Sequence, residues 1–106
     1  MNKQRRKDLE RIIEDLEQWK EEALELSNRI DGIKDEIEAV KDDEEEAYYN
    51  LPESFQDGDR GESMQSAMIS MESAVDSVDE VVGDLERLAG DSVDVIIESL
   101  REAIAS

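Results

Sequence analysis

Residues 9–51 read LERIIEDLEQWKEEALELSNRIDGIKDEIEAVKDDEEEAYYNL, and this stretch decides the fold. Steps of alternately three and four residues through it meet apolar side chains at every position except Glu44. Such a spacing lines one side of an α-helix with a heptad seam. The positions are Leu9, Ile12, Leu16, Trp19, Ala23, Leu26, Ile30, Ile33, Ile37, Val40, Glu44, Ala47 and Leu51. The sequence therefore predicts a first helix over about residues 3–50.

Charged side chains flank this seam. Three lysines recur directly after seam positions, at Lys20, Lys34 and Lys41. Charges beside a narrow apolar seam are typical of the solvated sides of a coiled coil. We expect these lysines to lie in water.

The first helix ends where Asn50 and Leu51 precede Pro52. Proline lacks the amide proton that continues a helix, and it disfavours helical geometry in the residue before it. The following residues are rich in turn formers, with Gly58 and Gly61 among them. We predict a turn over about residues 51–61.

A second helix is predicted over about residues 62–89. Three-four steps return Met64, Ala67, Met71, Ala74, Val78, Val81, Leu85 and Leu88, and a second apolar column contains Met68, Val75, Val82 and Ala89. A stripe this broad is typical of a helix with more than one neighbour. Small serines flank its other side. The candidate oligomer interface is Met68, Val75, Val82, Ser70 and Ser77.

Gly90-Asp91-Ser92 looks like a break followed by a new N-cap, before a C-terminal helical segment over about residues 92–105. This segment either continues the second helix with a kink or folds back as a separate short helix, and we favour continuation. Helices of matched length joined by a short turn predict an antiparallel pair. The predicted fold is all-α: a single domain over residues 1–106, a long antiparallel coiled-coil helical hairpin that assembles into a helical bundle.

The chain is strongly acidic, because 31 acidic and 12 basic side chains give a net charge of −19. Such a chain repels nucleic acid and anionic membranes and is attracted to basic protein surfaces. No stretch approaches the ~20 apolar residues of a membrane span. We predict a cytoplasmic protein whose partner is a basic protein, with no direct contact to nucleic acid or membrane.

The 106 residues include no histidine and no cysteine. The commonest general bases, nucleophile partners and transition-metal ligands are therefore missing. Carboxylates remain, but five consecutive acids at residues 42–46 must point all round a helix, so most are solvated. The sequence predicts no enzyme, no cofactor and no metal. Candidate partner-binding residues are Asp42, Asp43, Glu45, Glu46, Tyr49 and Phe55.

The segment DDEEEAYYNLPESFQ at residues 42–56, followed by Arg60-Gly61-Glu62 and Met64, resembles a family of short acidic proteins from phages, prophages and other mobile elements of Gram-positive bacteria. Members look like two heptad-patterned helices joined by an Asn-Leu-Pro-Glu-Ser turn. The family carries no established activity. The resemblance implies a helical fold and a mobile-element context, and it transfers no catalytic residue.

Two functions remain open at this point. The first is a non-enzymatic acidic interaction module, acting as a homodimer or higher oligomer, that inhibits or modulates a nucleic-acid-binding protein by charge mimicry. The alternative is a structural role, as a coiled-coil scaffold or chaperone for a phage or mobile-element component. Salt separates them, because contacts between charges weaken with ionic strength and apolar assembly persists.

Overall fold

The computed structural model describes residues 1–106 and contains helices and no strand. The helices are α1 (Lys3–Tyr49), α2 (Glu53–Gln56), α3 (Asp59–Arg87), a π-helical turn (Leu88–Ser92) and α4 (Val93–Ala105). The chain divides into two compact units, unit 1 (residues 1–28 and 82–106) and unit 2 (residues 29–81). We describe each unit by itself. The assignment of residues 1–106 to a single domain stays a prediction.

The α1 helix begins after Asn2, whose side-chain oxygen accepts a hydrogen bond from the Arg5 N–H at 2.8 Å. This is the N-cap bond that satisfies one of the free amides at a helix start. Side-chain pairs four residues apart, such as Arg11 with Asp15 at 3.4 Å, add local support. The helix ends at Tyr49, one residue before the predicted end, because Pro52 follows closely.

The predicted turn contains the short helix α2. The N–H groups of Phe55 and Gln56 donate to the Pro52 carbonyl at 2.8 and 3.2 Å, and the Gln56 side chain donates to the Leu51 carbonyl at 3.0 Å. Helix α3 begins at Asp59, three residues before the predicted start. Gly61 is buried in the first turn of α3, directly against the backbone of Gln56.

In unit 2, α1 and α3 run antiparallel. Lys34 donates to Asp79 at 2.9 Å, Lys41 pairs with Glu72, and Gln65 donates to the Tyr48 hydroxyl at 2.6 Å. Each step of seven residues forward along α1 is matched by seven residues backward along α3. A constant heptad register of opposite direction is the signature of an antiparallel coiled coil. Together with the helix content, it confirms the predicted all-α helical hairpin.

The seam of α1 differs from the prediction in half of its positions. The residues from Leu9 to Leu51 at heptad spacing are buried or half-buried, with Ala23 buried, as predicted. The other predicted column is exposed, and we name it the outer column: Ile12, Trp19, Leu26, Ile33, Val40 and Ala47. The column of α1 that faces the returning chain (α3, the π-helical turn and α4) lies one residue further on, and we name it the inner column. It consists of Ile13, Lys20, Ser27, Lys34, Lys41 and Tyr48.

The α3 seam shows the same displacement. The column that contains Met68, Val75, Val82 and Ala89 is buried or half-buried within the chain, and Val75 is only 5% exposed. The predicted column of Ala67, Ala74, Val81 and Leu88 is mostly exposed. In unit 2, the helices are thus rotated so that α3 turns its second apolar column toward the inner column of α1.

In unit 1, a small core joins α1 to α4. Ile13, Val93 and Ile97 are buried together, and Leu16, Leu100 and Ile104 pack against them. Lys20 donates to Asp94 at 2.7 Å, and Arg101 donates to Glu17 at 3.2 Å. The C-terminal segment therefore belongs to the buried structure of unit 1.

The chain continues through Gly90-Asp91-Ser92 as a π-helical turn into α4, as favoured, and the new N-cap expected at Ser92 is wrong. Ser92 has helical backbone angles (φ −66°, ψ −45°), and its side chain makes no capping hydrogen bond. A π-helical turn absorbs one extra residue. From Lys34 to Lys20, α1 steps back fourteen residues, whereas from Asp79 to Asp94 the returning chain advances fifteen. The turn thus accounts for the extra residue.

Two glycines of this hairpin should respond in opposite directions to alanine. A Cβ at Gly32 would have no neighbour within 4 Å, so Gly32→Ala should stabilise the protein by about 0.5–1 kcal/mol through helix propensity. A Cβ at Gly61 would lie 1.9 Å from the Gln56 carbonyl oxygen, so Gly61→Ala should destabilise by about 1–3 kcal/mol. Urea unfolding followed by circular dichroism measures both. Equal effects would contradict this account of the turn.

Deletion of single residues tests the role of the π-helical turn. Deletion of Gly90 should convert residues 88–92 to an α-helix and leave Val93 and Ile97 in register, with Tm changed by less than about 5 °C. Deletion of Gly32 in α1 is the control. No bulge absorbs it, so it rotates one part of α1 by about 100° and should lower Tm by more than about 15 °C. Comparable losses would show that the turn does not set the register.

Candidate functional site

The five-acid run on α1 forms an exposed acidic surface near the turn, in unit 2. Asp42, Glu45 and Glu46 line a shallow concave surface together with Tyr49 and Asn50. Asp43 is also exposed, but it lies about 100° from Asp42 around the helix. None of the four acids makes an ion pair within the chain. Three of the four predicted partner-binding acids therefore share one surface.

Two exposed aromatic side chains lie near these acids in the sequence. Tyr49 is 68% exposed and Phe55, in α2, is 57% exposed. The Tyr49 ring meets the Tyr48 ring edge to face, with centroids 5.2 Å apart. Because Tyr48 is buried and hydrogen-bonded to Gln65, it anchors Tyr49 at the surface. The structure thus places Tyr49 on the acidic surface and Phe55 outside the set of residues that line it.

Six of the basic side chains are paired with acids of the same chain: Arg11, Lys20, Lys34, Lys41, Arg87 and Arg101. The carboxylates, by contrast, are all exposed except Glu38 and Glu44, which are half-buried. Half of the twelve basic side chains are therefore neutralised locally, while most of the negative charge faces solvent. The electrostatic field around the chain is negative.

The expectation that the lysines beside the seam lie in water is wrong, because Lys20, Lys34 and Lys41 are all half-buried. Lys34 and Lys41 belong to the inner column and place their ammonium groups on acids of α3. The hydrogen bond to Asp79 raises the pKa of Lys34 above its ordinary value of 10.5, and the bond to Glu72 does the same to the pKa of Lys41. Each lysine thus stabilises the antiparallel register while charged.

The outer column of α1 borders open apolar grooves. In unit 2, Ile33, Val40 and Ile37 form one wall of such a groove, and Ser70 and Ala74 lie on the other. In unit 1, Trp19 and Leu16 line a second groove with Leu88 and Ile96. Each unit therefore has an apolar side and, where the lysines meet their acids, a charged side.

The predicted oligomer interface is split by the structure. Ser70 and Ser77 are exposed on α3, and Ser70 lines the open groove of unit 2. Met68, Val75 and Val82 turn toward the inside of the chain, so they are not available as a continuous outer surface. That part of the interface prediction is wrong, because the second apolar column of α3 supplies the core of the hairpin itself.

The cross-helix lysine–acid pairs were missed from the sequence, although a signal for them exists. Lys34 and Lys41 stand seven residues apart, and so do Glu72 and Asp79. Two complementary charged columns at heptad spacing predict an antiparallel ladder once the direction of the second helix is known. Taken alone, each column looks like a solvated flank.

The titratable side chains form no group of three that could hold a metal ion. No helix combines the length and the apolar character that crossing a membrane requires. Comparison of the chain with protein-family models, curated proteins and solved structures found no significant match.

The pKa of Lys34 predicts how its contribution depends on pH. Because the folded pKa is raised, the stability that Lys34 adds is fully present below the unfolded value of 10.5 and is lost as pH rises through the folded value. The difference in unfolding free energy between wild type and Lys34→Met should be constant from pH about 7 to 9 and shrink above pH about 10.5. Urea unfolding at each pH measures it.

Lys7→Met is the matched control, because Lys7 is exposed and makes no ion pair within the chain. The unfolding free energy of Lys7→Met should differ little from that of wild type at every pH. If the Lys34→Met difference does not change across pH about 10.5, the ion pair with Asp79 contributes nothing to stability.

Proposed function

We propose that this chain is a non-enzymatic acidic interaction module whose exposed carboxylates bind a basic, nucleic-acid-binding surface of another protein. The observation that carries the proposal is the display of the charge. The net charge is −19, and no carboxylate is fully buried. The acids Asp42, Glu45 and Glu46 near the turn, which we name the tip acids, make no ion pair within the chain. In a mobile-element context, such a module acts as a phage-type inhibitor or modulator by charge mimicry.

Binding begins with long-range attraction. A negative field attracts a basic partner over about one Debye length, ~10 Å at 0.1 M salt, and raises the rate of encounter. Arginine and lysine side chains then make charge-assisted hydrogen bonds to carboxylates, as they do to phosphates. The module thus occupies a surface that nucleic acid would otherwise contact.

The tip offers specific contacts in addition to charge. Asp42, Glu45 and Glu46 surround the exposed ring of Tyr49 on one surface. Aromatic side chains are enriched among residues that dominate binding energy, and arginine stacks favourably on their faces. A partner arginine between these carboxylates and Tyr49 would make both kinds of contact.

A structural role is the second candidate, and the open apolar grooves favour it. The outer column of α1 leaves Ile33 and Val40 uncovered, which suits permanent assembly with another helical component. Assembly of that kind depends on apolar burial, so added salt leaves it intact. The response of partner binding to salt therefore distinguishes a mimic from a scaffold.

Neutralisation of the tip acids tests the proposal. The purified chain is used to capture proteins from a Gram-positive bacterial lysate at about 0.1 M and about 0.5 M salt. A captured DNA-binding protein is then purified, and the chain is titrated against its complex with labelled duplex DNA. We expect capture only at low salt and displacement of the DNA. The tip variant Asp42→Asn, Glu45→Gln, Glu46→Gln should displace DNA at least tenfold more weakly, on the order of 1.4 kcal/mol.

The matched control carries the same number of amide substitutions at exposed acids without ion pairs elsewhere in the chain, at Glu21, Glu25 and Asp76. The control should displace DNA less than threefold more weakly than wild type, roughly 0.7 kcal/mol, because it lowers the net charge equally but leaves the tip acids unchanged. Capture that is equal at both salts would overturn mimicry and favour the scaffold. Equal losses in both variants would show that net charge acts without a specific tip.

A further inference from the structure

The outer column of α1 is the largest apolar feature that the fold leaves uncovered. Its five large members are between 37% and 57% exposed: Ile12, Trp19, Leu26, Ile33 and Val40. The hairpin covers the inner column, which is more polar, and leaves this one to solvent. Isolated exposed apolar residues are ordinary, but a continuous column along one side of a helix marks an interaction surface.

The two walls of the unit 2 groove differ in size. The exposed apolar residues of the α1 wall are the branched side chains Ile33 and Val40, whereas the exposed residues of the α3 wall are Ser70 and Ala74. The half-buried Ile37 and Met71 complete the lining. Small side chains allow another helix to approach closely, and large ones fill the space beside small ones. The large wall of one copy therefore fits the small wall of another.

We propose that a second copy of this chain covers these grooves, with α1 of each copy lying over α3 of the other. A two-fold dimer requires a self-complementary surface, in which one part of the patch fits a different part of the same patch. The unit 2 groove meets this requirement, because Ile33 and Val40 are the counterpart of Ser70 and Ala74. The result in unit 2 is a four-helix arrangement with Ile33 and Val40 in its core.

The charges beside the groove favour this pairing of α1 with α3. Glu36 lines the α1 wall, and the neighbouring heptad positions Arg29 and Asp43 are also charged. The edge of α3 carries the uncharged residues Ser70 and Ser77 instead. With α1 over α3 of the other copy, carboxylates meet hydroxyl groups that donate hydrogen bonds to them. With α1 over α1 at the same level, Glu36 and Asp43 of one copy would meet Glu36 and Asp43 of the other.

The exposed apolar area is sufficient for a specific dimer. In unit 2, the groove residues Ile33 and Val40 are 51% and 57% exposed, and in unit 1 the groove residues Trp19, Leu88 and Ile96 are between 41% and 48% exposed. Covering these five side chains removes on the order of 500 Å² of apolar surface per copy. A standard interface buries about 800 Å² per partner, of which a little over half is non-polar.

A charge of −19 on each copy makes the salt response of the dimer distinctive. Repulsion between copies weakens with ionic strength, while burial of the outer column does not, so added salt should tighten the dimer. Binding of a basic partner responds in the opposite direction. The dimer is therefore tested independently of the proposed function.

Sedimentation equilibrium of the full chain at about 0.05 M and about 0.5 M salt measures the association. We expect a dimer that is tighter at high salt. Ile33→Glu should raise its dissociation constant more than about 30-fold, and Ala74→Glu on the opposite wall should do the same. Circular dichroism checks that both variants keep their helix content, as expected for exposed positions.

The control is Ile69→Glu, the same substitution at a residue of α3 that is 71% exposed and lines neither groove. It should change the dissociation constant less than about threefold. A monomer at all concentrations and salts overturns the proposal. So does a dimer that Ile33→Glu and Ile69→Glu weaken equally, or a dimer that dissociates as salt rises.

Cross-linking tests the proposed arrangement, since the chain contains no cysteine of its own. Val40→Cys and Ala74→Cys are prepared separately and joined with a short bifunctional thiol reagent. A mixture of the two variants should give a cross-linked dimer that neither variant gives alone. Efficient linkage of Val40→Cys to itself would place α1 over α1 and overturn the arrangement.

Discussion

In unit 2, the rotation of α1 about its own axis brings its lysines onto the acids of α3 and leaves the outer column open, and the surfaces of this unit depend on that rotation. Lys34 and Lys41 face Asp79 and Glu72 in unit 2. If α1 turned slightly to bury Ile33 and Val40, both lysines would leave their acids. Because the paired carboxylates are more than half exposed, each pair adds only modestly to stability. The burial of Val75 on α3 supports the same rotation.

The π-helical turn has a comparable role in unit 1. Buried positions of the returning chain are separated by four, four and three residues at Ala89, Val93, Ile97 and Leu100, and a strict heptad would not fit all of them. The extra residue in Leu88–Ser92 moves the apolar face by one position, which brings Val93 and Ile97 onto Ile13. The same adjustment carries Asp94 to Lys20. The turn thus keeps both the apolar core and the ion pair aligned with α1.

Helix content, the turn and the antiparallel direction could be predicted because each rests on a local signal. Pro52 is one such signal, and the apolar column at heptad spacing from Leu9 to Leu51 is another. Which of the two columns faces α3 could not be predicted from the sequence. Apolar periodicity favours Ile33 over Lys34 as the residue that faces α3 until the acids opposite Lys34 are known. Continuation of the helix past Gly90 was favoured, but the π-helical turn could not be predicted, since the local pattern resembles a cap. Of the candidate site, Asp42, Glu45, Glu46 and Tyr49 were predicted together by proximity on one helix, whereas the grooves required both helices.

Covering the grooves and binding through the tip are compatible on one chain, because they use different side chains. The grooves are lined by Ile33, Val40 and Ala74, while the acidic surface is formed by Asp42, Glu45 and their neighbours on another part of α1. Association of two copies would double the negative charge carried by one particle and thereby strengthen the field that attracts a basic partner. The apolar column that the lysine–acid pairs leave open would then contribute to the acidic function as well as to assembly.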